Sequence, residues 1–302
     1  MNLSTIMEIP KFDAHMHIWN ISQKKNPWLM EESVIPFRYG DYTKIRKNYL
    51  LNDYQKDFKK HNIFGTAFVE TEWIEDDAKG EIEFVISNNQ DNFIRAILCQ
   101  SRLEVNFREQ INIIKQYSLV KGIRQKPKVI PFEDYYSTLP ESKTMLTTDF
   151  LNGLEILDQY DLIFEVQTAW WHLPELIEVK QRFPNLKIVI NHAGMPGSRE
   201  DAIVQKWYES LKRISHLNNV FMKISGFGEF QKWDYQRNQV IYQSLTELFD
   251  SKKLLFGTNF PVDSIVVDAN YLMDGFYKGL SHLNILDLEN IFYKNAVTLY
   301  KV

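Results

Sequence analysis

Eight short runs of apolar and β-branched residues recur along this 302-residue chain, at 11–18, 63–71, 93–100, 120–125, 162–168, 187–192, 219–225 and 253–258. Each has the length and near-continuous hydrophobicity of a strand covered on both faces. Between the later runs lie segments of helical periodicity, 149–160, 173–183, 200–217 and 235–249, and a further one at 287–300 closes the chain. Parallel neighbours need a long crossover, so repeated strand-then-helix units predict a parallel sheet wrapped in helices. Eight such units favour a closed (β/α)8 TIM barrel over an open doubly wound sheet, whose GxGxxG turn is absent. No Pro- or Gly-rich linker, charge block or low-complexity stretch marks a boundary, so residues 1–302 are expected to form a single domain. Residues 22–53, rich in aromatic and polar groups, read as a long loop insertion after the first strand, over the catalytic end.

Composition narrows the function. A formal net charge of −4 with 25% charged residues provides no basic surface for nucleic acid. The first ten residues lack a basic region and a long apolar core, and no apolar run approaches the roughly 20 residues that span a bilayer. The expected setting is cytoplasmic and the expected partner a small molecule, anionic or sugar-like, with neither nucleic acid nor membrane. The single cysteine, Cys99, excludes internal disulfides and CxxC metal sites and reads as a small buried hydrophobe.

A barrel keeps its active site at the C-terminal ends of its strands, and unusual polar residues gather there. Asp13, His15 and His17 alternate along strand one, which predicts one shared face. Glu70 and Glu72 end strand two, Arg124 and Gln125 strand four, Gln167 strand five, Asn191 and His192 strand six, and Lys223 and Ser225 strand seven, while Asn259 follows strand eight. An i,i+2 pair of imidazoles suits chelation, against the plainer reading of two hydrogen-bonded core histidines. Arg124 either clamps a substrate carboxylate or lactone oxygen or forms an ordinary salt bridge. Lys223 offers a Schiff base, an anion site or a snorkelling side chain. His61, His216 and His282 read as surface residues; His172, after a Trp pair, reads as lining the pocket. Trp19, Trp28, Trp73, Trp170 and Trp171 suit stacking on a substrate ring as well as packing.

Taken together, Asp13-Ala-His-Met-His-Ile-Trp19, Gly122-Ile-Arg-Gln125, Asn191-His-Ala-Gly-Met-Pro196, Met222-Lys-Ile-Ser-Gly226 and Leu255-Phe-Gly-Thr-Asn-Phe-Pro-Val-Asp263 resemble the amidohydrolase superfamily. The branch they resemble contains sugar-acid lactonases and pyrone-dicarboxylate lactonase. The resemblance implies the (β/α)8 barrel and hydrolysis of a carboxylic ester, here a lactone, by activated water. It matches His15 and His17 to the metal-binding HxH pair and His192 to the strand-six histidine. Arg124 and Lys223 match basic positions that meet an anionic substrate, with Gln167, His172 and Trp19 beside them. The departure is Asn259, which stands where the family presents a metal-binding aspartate that takes a proton from water, since asparagine is no base. The expectation is one zinc on His15, His17 and Glu70, or no metal at all. The general base would be His192, Glu70 or Asp263, with Asn259 and Arg124 as further catalytic residues. Three rivals are a metal-dependent decarboxylase of the same superfamily, a Schiff-base lyase using Lys223, and a non-catalytic small-molecule binding protein.

Overall fold

The computed structural model describes residues 2–30, 35–75 and 77–302. Strands β1 (Lys11–Met16), β2 (Ile63–Val69), β3 (Ile94–Gln100), β4 (Val120–Gln125), β5 (Ile163–Val166), β6 (Ile188–Ile190), β7 (Val220–Ile224) and β8 (Leu254–Phe256) pair in chain order, all parallel. The last is tied to the first beyond its end: Asn259 N–H donates to the His15 carbonyl at 2.7 Å and His17 N–H to the Phe260 carbonyl at 2.8 Å. This is the expected TIM barrel. Its strands begin where the pattern placed them or one residue later, and stop up to two residues sooner. Among the described residues no helix is long and apolar enough to cross a membrane.

Two layers of side chains hold the barrel. Outward-facing Phe68, Ile97, Ile123, Phe164, Met222 and Phe256 belong to the large core between sheet and helices. Inside, Ala14, Ala67, Ala96, Ile163, Val189 and Leu255 form a second cluster with Leu299 and Tyr300 of the last helix, Asn295–Tyr300. The three alanines leave room for two rings, Phe12 and Tyr300, whose centroids are 6.3 Å apart. That helix therefore plugs the barrel where β1 begins, at the end opposite the polar residues. Each large apolar side chain so buried stabilises the fold by about 1.5–3 kcal/mol. The helix expected over 287–300 is built of Ile285–Glu289, a π-helical turn Asn290–Lys294 and Asn295–Tyr300.

The insertion after β1 folds over the polar end of the barrel. Trp19 and Tyr49 exchange backbone hydrogen bonds at 2.8 and 3.0 Å and close its base. Trp28 and Phe37 stack at 5.9 Å with 7° between their planes, and Tyr42 packs on both. The insertion thus carries a small aromatic core of its own; its residues 31–34 lie outside the described ones. Cys99 is buried, as its apolar run implied.

Candidate active site

A cavity of about 260 Å3 opens at the C-terminal ends of the strands, between barrel and insertion, lined by His17, Arg38, Glu70, Arg124, His192 and Asn259 among others. Several of its walls have left-handed backbone: φ is +51° at Glu72, +54° at His192, +57° at Met195 and +55° at Asn259. Such conformations cost a non-glycine residue of order 1–3 kcal/mol and cluster where side chains must be aimed. They also explain why the strands stop short of their apolar runs. At Gly226, φ +58°, an added Cβ would stand 2.2 Å from His192 Nδ1, so only glycine leaves that imidazole its place.

The alternation predicted for strand one holds only in part. Phe12 and Ala14 face the interior cluster, and the β1–β2 register is irregular between Asp13 and Met16. Asp13 is spent on structure: its carboxylate accepts from Tyr54 Oη at 2.6 Å, Thr258 Oγ1 at 2.5 Å, and the backbone N–H groups of Thr258 and His15 at 2.9 Å. His15, His17 and His192 do converge, with ring centroids 5.0 Å apart for His15–His17 and 4.6 Å for His15–His192. Burial, with Arg124 next, holds His17 down to about 3; burial likewise lowers His15 and His192 well below the ordinary imidazole value. All three are neutral at pH 7, and a neutral imidazole has one N–H to give.

Where each proton sits follows from the partners. His17 Nδ1 is 2.8 Å from the Val69 carbonyl, which can only accept, so Nδ1 carries the proton and Nε2 is an acceptor. Nε2 stands 3.2 Å from Asn259 Oδ1, a second acceptor, because Asn259 Nδ2 donates to Asp263 Oδ1 at 2.6 Å. Asp263 Oδ1 also receives Tyr39 Oη–H at 2.9 Å, and its other oxygen is buried without a partner. Burial pushes the Asp263 carboxyl up to about 6. Asp263 lies behind Asn259 rather than on the cavity wall, so it orients the amide instead of meeting water.

Arg124 carries the positive side of the site. Nη1 donates to Gln167 Oε1 at 2.7 Å, Nη2 donates to the Glu70 carbonyl at 3.0 Å, and Nε lies 2.6 Å from Glu70 Oε1. Gln167 thus positions the guanidinium, and each Nη keeps a second N–H for a ligand. Lys126 at the rim is paired with Glu72. Arg38, which no sequence pattern singles out, arrives from the insertion. It rests on the Tyr39 ring at 4.6 Å and donates to Met195 Sδ at 3.3 Å.

Two expected substrate contacts, Lys223 and His172, fall elsewhere. Lys223 is fully buried below the cavity, its ammonium donating to Glu165 at 2.5 Å; Glu165 also receives Asn191 Nδ2 and Tyr300 Oη. Such a lysine is neither a free amine for a Schiff base nor a contact for substrate. His172 is buried on Glu175 at 2.7 Å and accepts the Ile130 N–H at 3.0 Å, fixing the loop after β4. Trp19 does line the cavity, with its indole N–H on the Lys47 carbonyl at 2.9 Å. His61 is buried between Tyr277 Oη and Asn270, both at 3.0 Å, not on the surface as its polar neighbours implied.

The expected zinc ligands do not form a zinc cage. Among the described residues no group of three or more His, Cys, Asp or Glu side chains is placed to hold a metal ion. Glu70 is committed to Arg124. His15 Nδ1 faces the Lys223 ammonium at 3.5 Å, which leaves its proton on Nε2, and neither nitrogen is then free to bind a cation. That leaves, among the described residues, the imidazoles of His17 and His192 and one amide oxygen, with no free carboxylate, beside a guanidinium, a poor donor set for a dication.

An amidohydrolase family model matches residues 109–302. The chain belongs to the amidohydrolase family. Over almost its whole length, 98% of this chain and 99% of the other, it is 25% identical to the uncharacterized protein y4mH of Sinorhizobium fredii. Two further relatives have stated activities. The L-fucono-1,5-lactonase of Burkholderia ambifaria is 26% identical over 37% of this chain and 39% of its own. The L-rhamnono-gamma-lactonase of Scheffersomyces stipitis is 24% identical over 62% of this chain and 60% of its own. In fold, an amidohydrolase of Burkholderia multivorans solved with bound zinc superposes with a TM-score of 0.78, covering 97% of this chain and 99% of that one at 17% identity.

Proposed function

We propose that this amidohydrolase opens a lactone by attack of water held between His17 Nε2 and Asn259 Oδ1. The observation that carries the reading is that pair of acceptors, 3.2 Å apart beside the Arg124 guanidinium. Two acceptors facing each other are satisfied by a molecule that donates to both, and a water doing so presents a lone pair to the cavity. The lactone carbonyl oxygen would lie on the free Nη–H groups of Arg124, which stabilise the negative charge that develops there. As the oxygen–carbon bond forms, His17 Nε2 takes the water's proton; as the ring C–O bond breaks, His17 returns it to the departing ring oxygen. A weakly basic imidazole gives that proton back readily, and the oxyanion beside it raises its basicity while the charge exists.

His192, with Nδ1 3.1 Å from Ser225 Oγ, forms the opposite wall. Asp263 and Tyr39 keep the Asn259 amide from turning. This replaces the earlier candidates for the base with His17, and no step runs through a metal. Support for a lactone over another ester comes from the sugar-lactonase relatives.

The test is proton release across sugar-acid γ- and δ-lactones and pyrone carboxylates, read with a pH indicator. Turnover is expected for at least one member, and His17→Gln is expected to cut kcat by about 10²–10⁴, the usual worth of a positioned base. Silence across the panel, or full activity in H17Q, overturns the reading.

A further inference from the structure

A second cavity, of about 640 Å3, adjoins the first, and Lys126, Gln167 and Met195 line both. Beyond those three its walls are mostly apolar, with Thr168, Ser198 and Lys206 the polar exceptions: Pro127, Val129 and Phe132 from the loop after β4, Trp170 and Trp171 from the loop after β5, and Ile203 from the helix Asp201–Lys212. The Lys206 ammonium lies over the Phe132 ring at 5.0 Å. The rings are fixed in advance. Trp170 and Trp171 meet at 86° with centroids 5.3 Å apart, and Phe132 packs on both at 5.2 and 5.6 Å. Trp171 Nε1–H donates to the Ile130 carbonyl at 2.8 Å, and Ser210 Oγ–H to the Trp170 carbonyl at 2.5 Å. Val129, at the mouth, is 43% exposed.

Three separate elements thus keep apolar surface open to water beside a polar site, the mark of a ligand groove rather than of packing. At the threshold, Lys126 is neutralised by Glu72, and Gln167 holds Arg124. A molecule whose carbonyl sits on Arg124 therefore reaches the cleft within a few bonds. Most sugar hydroxyls would go unpaired against the aromatic and aliphatic part of these walls, whereas alkyl or aryl carbon loses nothing there.

We infer that the substrate carries an apolar arm, alkyl or aryl, on a hydroxy-acid lactone, and that this arm lies in the cleft between Val129, the Trp170–Trp171 pair and Ile203. The inference rests on the lactone reading for its head group only. Calorimetric titration of the full chain with ring-opened γ-hydroxy acids, butanoic, octanoic and phenyl-substituted, tests the arm without any turnover. Affinity is expected to tighten by up to about fourfold for each methylene that enters the cleft. Val129→Asp and Ile203→Asp are each expected to flatten that rise, with circular dichroism checking the fold. Equal affinity for short and long acids, or a rise that survives in both variants, overturns the inference. Length-dependent binding without hydrolysis of any lactone upholds the cleft and sinks the lactonase reading. Hydrolysis of short sugar lactones with no effect of arm length on binding or kcat/KM sinks the cleft alone.

Discussion

A neutral imidazole has a single proton to place, and in His17 the Val69 carbonyl claims it. Every other assignment in the cavity follows: Nε2 accepts, the Asn259 oxygen opposite accepts, and the Asn259 amide nitrogen is turned away by Asp263. The carboxylate must be ionised to do this well. Its folded-state value is raised by burial to about 6, against about 4 in an unfolded chain, so the folded protein holds the Asp263 proton more tightly. Ionising it therefore costs stability as pH climbs from about 4 to about 6, and the cost stays above that range. In the mechanism proposed, the same ionisation turns activity on. We expect kcat/KM to fall on the acid side with a midpoint near the Asp263 value of about 6. In Asp263→Asn that limb should vanish along with most of the activity, while thermal stability near pH 8 rises relative to wild type and near pH 4 does not. An unchanged pH profile in D263N would remove Asp263 from the arrangement.

At the level of elements, the loops after the strands do the aiming. Gly226→Ala would drive a methyl into His192 Nδ1 and place alanine at φ +58°, so it should lower both melting temperature and kcat, by about 1–3 kcal/mol in stability. A variant as active and as stable as wild type would show that His192 has room to move. The strand starts were legible in the sequence because a doubly covered strand is a continuous apolar run, a local signal. Their ends were not, because His192 and Asn259 lie in apolar stretches yet take left-handed backbone that only the assembled site imposes. The ring of polar strand ends was legible too, from the barrel's own geometry. What escaped was non-local: Arg38 reaches the cavity from the insertion, and His61 is buried by Tyr277 and Asn270, more than 200 positions away. Lys223 shows the converse error. A basic residue at a strand end looked ready for substrate, but Glu165 on β5 and Tyr300 on the last helix take it into the interior.

For the molecule as a whole, the charge balance at the barrel mouth argues against tight binding of a dication. Glu70 answers Arg124 and Glu72 answers Lys126, which leaves neutral nitrogen and oxygen ligands under the guanidinium. A ligand that binds only the folded state raises its stability by mass action. Added zinc should therefore leave the melting temperature within about 1 °C, and dialysis against a chelator should leave both stability and lactone turnover intact. Stoichiometric metal that survives chelation, or activity that returns only with zinc, would contradict the donor assignment of His15. Tyr300→Phe offers a second global check. Removing the hydroxyl that reaches Glu165 at 2.7 Å leaves a buried acceptor short of a partner, at a cost of about 1–3 kcal/mol read by denaturant unfolding.

The closure of the barrel also orders events in time. His15 and His17 leave the ribosome long before the backbone partners that seal their strand, Asn259 and Phe260, and before the helix that stops the barrel's floor. During synthesis β1 has one sheet neighbour and an open edge, which is the kind of surface that chaperones hold and stray strands invade. Synthesis of β8 and of the helix Asn295–Tyr300, rather than completion of any earlier β/α unit, is the step at which the barrel acquires an inside.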